Sequence, residues 1–141
     1  MMKQYAPTTV WPVPEAFRGI YAHAVEVHTA SRVLLISGQI GVEPDGTVPS
    51  SFEDQCDRAM TNAEELLAAA DMTVADIVKV SYYLTRPADL PALNEARSRR
   101  WKSDAPPAVT TLVVAALARP NLLVEIEVVA ASIPPGDKTT G

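Results

Sequence analysis

The segment Val109–Leu117, VTTLVVAAL, places the tightest limit on what this chain can fold into. A strand turns successive side chains to opposite faces. Here Thr110, Leu112, Val114 and Ala116 form one set, and Val109, Thr111, Val113, Ala115 and Leu117 the other. Both sets are largely apolar, whereas a sheet with one wet face shows polar residues on one of them. The strand is therefore expected to be covered on both sides. The rest of the chain supplies two helices, and two helices cover one face of a sheet. The second face is then expected to be buried against copies of the same chain, because apolar area of that size is not normally left open on a soluble monomer.

The other elements follow from periodicity. Tyr21–His28 and Arg32–Ser37 read as strands, and Gly38 ends the second. Glu43-Pro44-Asp45-Gly46 is a turn signal. From Ser51 to Ala70, apolar residues Phe52, Cys56, Ala59, Met60, Ala63, Leu66, Leu67 and Ala70 recur at helical steps. Ser51 or Ser50 supplies a capping hydroxyl, and Glu53 and Asp54 add negative charge to the first turn. Ile77–Thr85 is a β-branched and aromatic strand. Pro87–Lys102 is a second helix, which Pro106 and Pro107 forbid from continuing. Val109–Leu117 and Val124–Ala131 close the order β-β-α-β-α-β-β. The 141 residues suit one α+β domain, with Met1–Pro14 as an extended arm and Ile133–Gly141 as a loose tail.

Composition excludes several classes. With 48% hydrophobic and 21% charged residues the chain is globular. A formal net charge of -5 disfavours a nucleic-acid backbone as partner. The cations Arg97, Arg99, Arg100 and Lys102 are expected on the wet face and last turn of the second helix. No run reaches the ~18 apolar residues of a membrane helix. The N-terminus lacks a signal-peptide core, and a lone Cys56 in an apolar stripe reads as a buried structural thiol rather than a nucleophile. The expected setting is cytoplasmic.

Three segments carry a resemblance: Ile36-Ser37-Gly38-Gln39-Ile40 at the end of the second strand, Asp76-Ile77-Val78-Lys79-Val80 entering the central one, and Pro107 onward, PAVTTLVVAALARPNLLVEIEV. In that order, on that pattern, they resemble the RidA-type (reactive-intermediate deaminase, YjgF-like) family over roughly Gly19–Ala131. The resemblance implies a chorismate-mutase-like fold with two helices on one face of the sheet, a homotrimer, and clefts between subunits. It implies hydrolysis of imines or enamines with release of ammonia and with no metal or organic cofactor. It also implies Glu125 as the pocket carboxylate, and Tyr21, Ser37, Gly38, Asn94, Val109 and Thr111 at ligand-contacting positions. A carboxylate in a partly dry cleft can position or deprotonate water. Gly38 leaves its backbone free for close approach. Asn94 is expected to hold backbone groups behind the site.

The resemblance departs at the chemistry. An arginine that clamps a substrate carboxylate in that family is replaced by Val109, and a cysteine position by Thr111. A guanidinium grips a carboxylate with two prongs, which neither valine nor lysine can copy. The expected substrate is therefore an imine- or enamine-type small molecule other than the standard 2-imino acids. The alternative is a trimer that binds a metabolite without turning it over. His23, on the face of Tyr21, is a further candidate for the cleft, although an interfacial or hydrogen-bonded histidine is the plainer reading. Arg18, Arg86 and Arg119 are each possible anion sites, and nothing in the sequence selects among them. Ribonuclease action, also attached to that family, is disfavoured by the acidic composition and the lack of aromatic runs for base stacking.

Overall fold

The computed structural model of the chain describes residues 2–28 and 32–132; the expected tail lies outside them. Its strands and helices are β1 (Met2–Tyr5), β2 (Ala24–Val27), β3 (Arg32–Ile40), α1 (Phe52–Ala69), β4 (Ile77–Leu84), α2 (Leu90–Arg100), β5 (Ala108–Val113) and β6 (Val124–Ser132). Short 3-10 turns precede β2, β4 and α2. The sheet runs β3-β6-β4-β5, with β6 antiparallel to both neighbours and β4 parallel to β5. A parallel pair needs a crossover, and α2 provides it. Within the N-terminal arm, β1 forms an antiparallel pair with β2.

α1 starts where its chemistry says it should. Ser51 Oγ accepts the amide N–H of Asp54 at 3.1 Å, and Glu53 and Asp54 face the positive end of the helix. Phe52, Cys56, Ala59, Met60, Ala63 and Leu67 form its buried stripe. Against them lie every second residue of β4 and β6: Val80, Tyr82 and Leu84, then Val124, Ile126 and Val128. Each fully buried side chain of this size contributes ~1.5–3 kcal/mol relative to exposure. Burial pushes the Cys56 thiol up to about 12, which keeps it protonated and unreactive as expected.

A polar tie fixes the loops to this core. Gln55, 1% exposed, donates from Nε2 to the carbonyls of Pro49 and Asn121, each at 2.9 Å. Its Oε1 accepts the N–H of Leu123 at 2.8 Å. Gly41 packs so closely on α1 that an added Cβ would lie 2.5 Å from Gln55 Cα.

Two expectations need correction. β5 ends at Val113 rather than Leu117. The reason is its neighbour: β4 stops at Leu84, whose carbonyl accepts the Val114 N–H at 2.7 Å, and beyond that no strand remains to pair with. Within one chain Leu112 and Val113 are 48% and 43% exposed. The second correction concerns the cations of α2. Arg99 and Arg100 do reach carboxylates on α1, at Asp57 and Glu64. Arg97, however, is 7% exposed and lies in the interior.

Candidate functional site

The register divides the sheet into two unlike faces. Val80, Tyr82, Leu84, Val124, Ile126 and Val128 point to the helices. Lys79, Ser81, Tyr83, Glu125 and Glu127 point away, as the pairings Tyr83 with Glu125 and Ser81 with Glu127 require. Thr110 and Leu112 of β5 share this helix-free face, and Lys79 Nζ donates to Thr110 Oγ1 across it at 2.6 Å. At the β3 edge the face turns apolar. Val33 and Leu35, opposite Ala131 and Val129, are 61% and 75% exposed. The helix-free side is thus a polar centre flanked by apolar edges, not the uniformly apolar surface expected.

Glu125 occupies the polar centre, opposite Tyr83 of β4 and Ile40 of β3. The β3–β6 ladder slips between Ile36 and Gln39, and Gly38 sits in that irregularity. A Cβ added to Gly38 would lie 2.0 Å from Glu125 Oε2. The glycine is therefore needed because the carboxylate lies directly on its backbone, and not because of a left-handed dihedral. Among the described residues the Glu125 side chain makes no hydrogen bond. Glu127 by contrast accepts from the Tyr83 phenol at 3.2 Å. Of the two carboxylates, Glu125 is the one left unengaged. Ser37, beside Gly38, has an exposed side chain, and its carbonyl accepts from Gln39 Nε2 at 2.9 Å.

A second group of residues gathers elsewhere. Tyr21 packs against Phe17, ring centres 6.1 Å apart, and meets His23 edge-on at 5.9 Å. Ala22 between them bridges to Ala108 at the start of β5. His23 Nε2 is hydrogen-bonded to the Trp11 carbonyl at 2.5 Å, which fits a satisfied histidine. Tyr21 and His23 line a pocket of about 520 Å³ walled by the arm from Gln4 to Val13, with Arg18 and Asp104 as its charged groups. This size and mixed lining suit a small molecule.

Val109 and Thr111 pair with Val80 and Tyr82, so their side chains turn toward the helices. Val109 is half-buried against the core. Asn94 is half-buried on α2, and among the described residues its side chain forms no hydrogen bond within the chain. Within one chain, then, Glu125 and Gly38 lie together on one face of the sheet. Tyr21 and His23 lie together beside β5. Val109 and Thr111 look to the opposite face from Glu125. Of the arginines weighed as anion sites, Arg18 is paired with Glu15 at 2.9 Å and Arg86 with Asp89 at 2.8 Å; Arg119 is exposed.

One charged residue, Arg97, is buried against the expectation from its residue type. Arg97 lies four residues after Leu93 and four before Trp101, on the buried stripe of α2. That spacing was a sufficient signal. Its guanidinium sits between Phe17, at 5.5 Å, and Tyr82, at 5.4 Å. Burial holds its pKa below the ordinary arginine value and raises that of Tyr82. Among the described residues no group of three His, Cys, Asp or Glu is arranged to hold a metal ion, and no helix is long and apolar enough to cross a membrane.

Two helices on one face of a mixed sheet, with an unengaged carboxylate resting on a glycine of the other, define the chorismate-mutase-like α+β arrangement. The family profile described as Endoribonuclease L-PSP matches residues 14–132, and the chain belongs to this family of RidA- and YjgF-like proteins. A RutC family protein of Aquifex aeolicus is 37% identical over 121 residues, covering 84% of this chain and 91% of that one. The 2-iminobutanoate/2-iminopropanoate deaminase of Capra hircus is 34% identical over 118 residues, 82% of each. The crystal structure of the Rid family protein YyfB from Yersinia pestis superposes with a TM-score of 0.80 at 30% identity, covering 93% of this chain and 98% of that one.

Proposed function

We propose that this protein is a deaminase-type hydrolase of imine or enamine small molecules, acting as a homotrimer in clefts that two copies complete together. The observation that carries the reading is the Glu125 carboxylate, unengaged, lying on the Gly38 backbone at the centre of the helix-free face. The relatives that act on 2-iminobutanoate and 2-iminopropanoate support the reaction class. The division of the site supports the assembly. Glu125 and Gly38 form one half, and Tyr21, His23, Asn94, Val109 and Thr111 belong to a different part of the chain. The apolar edges at Val33, Leu35 and Leu112 give a second copy something to bury.

The chemistry needs only water and a base. As water attacks the C=N carbon, Glu125 takes one of its protons and a C–O bond forms. Glu125 returns that proton to the nitrogen, giving a carbinolamine; the carbinolamine hydroxyl then gives up its proton to the nitrogen as the C–N bond breaks, and a carbonyl compound and ammonia leave. Backbone groups at Gly38 and the Ser37 hydroxyl orient the substrate, while Tyr21 and His23 wall the cleft. Val109 brings no charge, so a ligand's negative group must be met by some other side chain. The uncharged side chain at 109 also favours a second reading, a trimer that holds a metabolite unchanged. Ammonia release from a panel of imines and enamines separates the two. The hydrolytic reading expects turnover that Glu125→Gln abolishes. Decay no faster than in buffer, with a ligand that raises the melting temperature and is recovered intact, would establish the binding module instead.

A further inference from the structure

Among the described residues, one buried guanidinium has no hydrogen-bond partner. Arg97 is 7% exposed. Its Nε and Nη1 are fully enclosed and have no hydrogen-bond partner. Nη2 retains some exposure and, among the described residues, also has none. The contrast within α2 is direct. Arg100, three residues on, donates to the Asp57 carbonyl at 2.8 Å, to Thr61 Oγ1 at 3.1 Å and to Glu64 Oε1 at 2.6 Å. Arg99 reaches Asp57 at 3.2 Å. The more exposed arginines are paired; the most buried one is not.

A buried guanidinium with no acceptor is costly to maintain. Stacking between Phe17 and Tyr82 offsets part of that cost through the ring faces, but ring faces do not accept the in-plane N–H groups. The cavity beside Arg97, lined by Val80, Trp101 and Pro107 among others, has room for a single water, about 10 Å³. Only Nη2 is partly open to anything larger, and a guanidinium N–H there suits a carboxylate oxygen by a charge-assisted hydrogen bond. The surroundings belong to the Tyr21 half of the site. Phe17 contacts both Arg97 and Tyr21, and Val109 stands beside Val80 on the same side of the sheet.

We propose that Arg97 is an anion anchor that binds the carboxylate of a small-molecule ligand through its partly exposed Nη2. The proposal rests on the reading above only in placing a small molecule in the cleft, and it does not require that the ligand be hydrolysed. It makes the ligand a small monocarboxylate held from α2. It also gives a reason for a charge that weakens the unliganded fold.

The test is binding, measured on the full-length protein by thermal shift and calorimetry, with propanoate and benzoate as probes and propanamide and benzamide as neutral matches. Wild type is expected to gain several degrees in Tm with the carboxylates and nothing with the amides. Arg97→Met, which keeps the apolar stem, is expected to melt higher than wild type without ligand and to bind the carboxylates at least about tenfold more weakly. Arg97→Lys keeps the positive charge, and is expected to fall between them. Three results would overturn the proposal: no carboxylate response in wild type at tens of millimolar; an equal response in Arg97→Met; or a dissociated assembly on sedimentation of both variants, which would place a partner chain's acid on Arg97. Ammonia release is scored separately, so a non-hydrolytic protein that binds carboxylates through Arg97 still bears the anchor out.

Discussion

The two faces of the β4–β6 pair obey different rules. Toward the helices, Val80, Leu84, Val124, Ile126 and Val128 are each fully buried, and any change in volume is felt because interiors are close-packed. Away from the helices, one residue along the same strands, Lys79, Tyr83, Glu125 and Glu127 are polar and reachable. A strand with period two lets one sequence carry both a core and a site. The helix-backed face holds the fold, and the helix-free face is free to hold chemistry and contacts with a second copy.

The difference can be broken first on the core side. Phe52→Ala empties a position 2% exposed and should cost ~3–5 kcal/mol, read as a lower denaturant midpoint at unchanged slope. Leu35→Ala removes a side chain 75% exposed and should change the stability of the single chain by less than ~0.5 kcal/mol. A comparable loss from both would mean that the two faces are not distinct. On the site side, Glu125→Gln should lower ammonia release by ~100-fold or more with an unchanged circular dichroism spectrum. Glu127→Gln, whose carboxylate is already engaged by Tyr83, should leave most of the activity. Gly38→Ala sharpens the point. Its methyl group would occupy the place of Glu125 Oε2, and the carboxylate can swing aside. Stability should fall by about 1 kcal/mol while activity drops ~10–100-fold from misplacement of the base.

The last effect is a pH dependence from the core. The Cys56 thiol titrates at about 12 when folded, against a reference of 9.0. Above pH 9 the unfolded chain releases this proton and the folded chain keeps it, so stability falls as pH rises between these values. The slope approaches about 1.4 kcal/mol per pH unit. Urea titrations from pH 8 to pH 11 should show this component in wild type and lose it in Cys56→Ala. Parallel curves for the two proteins would remove burial as the cause.

What the sequence revealed follows the same division. The stripe and cap of α1 were legible because period and capping chemistry are local. The face of Glu125 was legible because its neighbours Val124 and Ile126 alternate with it. The end of β5 was not, because it depends on where β4 stops, and β4 is a partner distant in sequence. Gly38 was read as a close-approach glycine, but the group that approaches it, Glu125, lies 87 positions away in the chain. Arg97 was misplaced for another reason. Its residue type argued for water, while its position, one turn from Leu93 and one from Trp101, argued for the interior, and position prevailed.

Under the proposed function, the separation of Glu125 and Gly38 from Tyr21 and Val109 means that a lone chain holds only part of a cleft. Sedimentation velocity of the wild-type protein at micromolar concentration tests it. The account predicts a single species near ~45 kDa, three copies of the 15.1 kDa chain. A stable 15.1 kDa particle that still releases ammonia from an imine would contradict it.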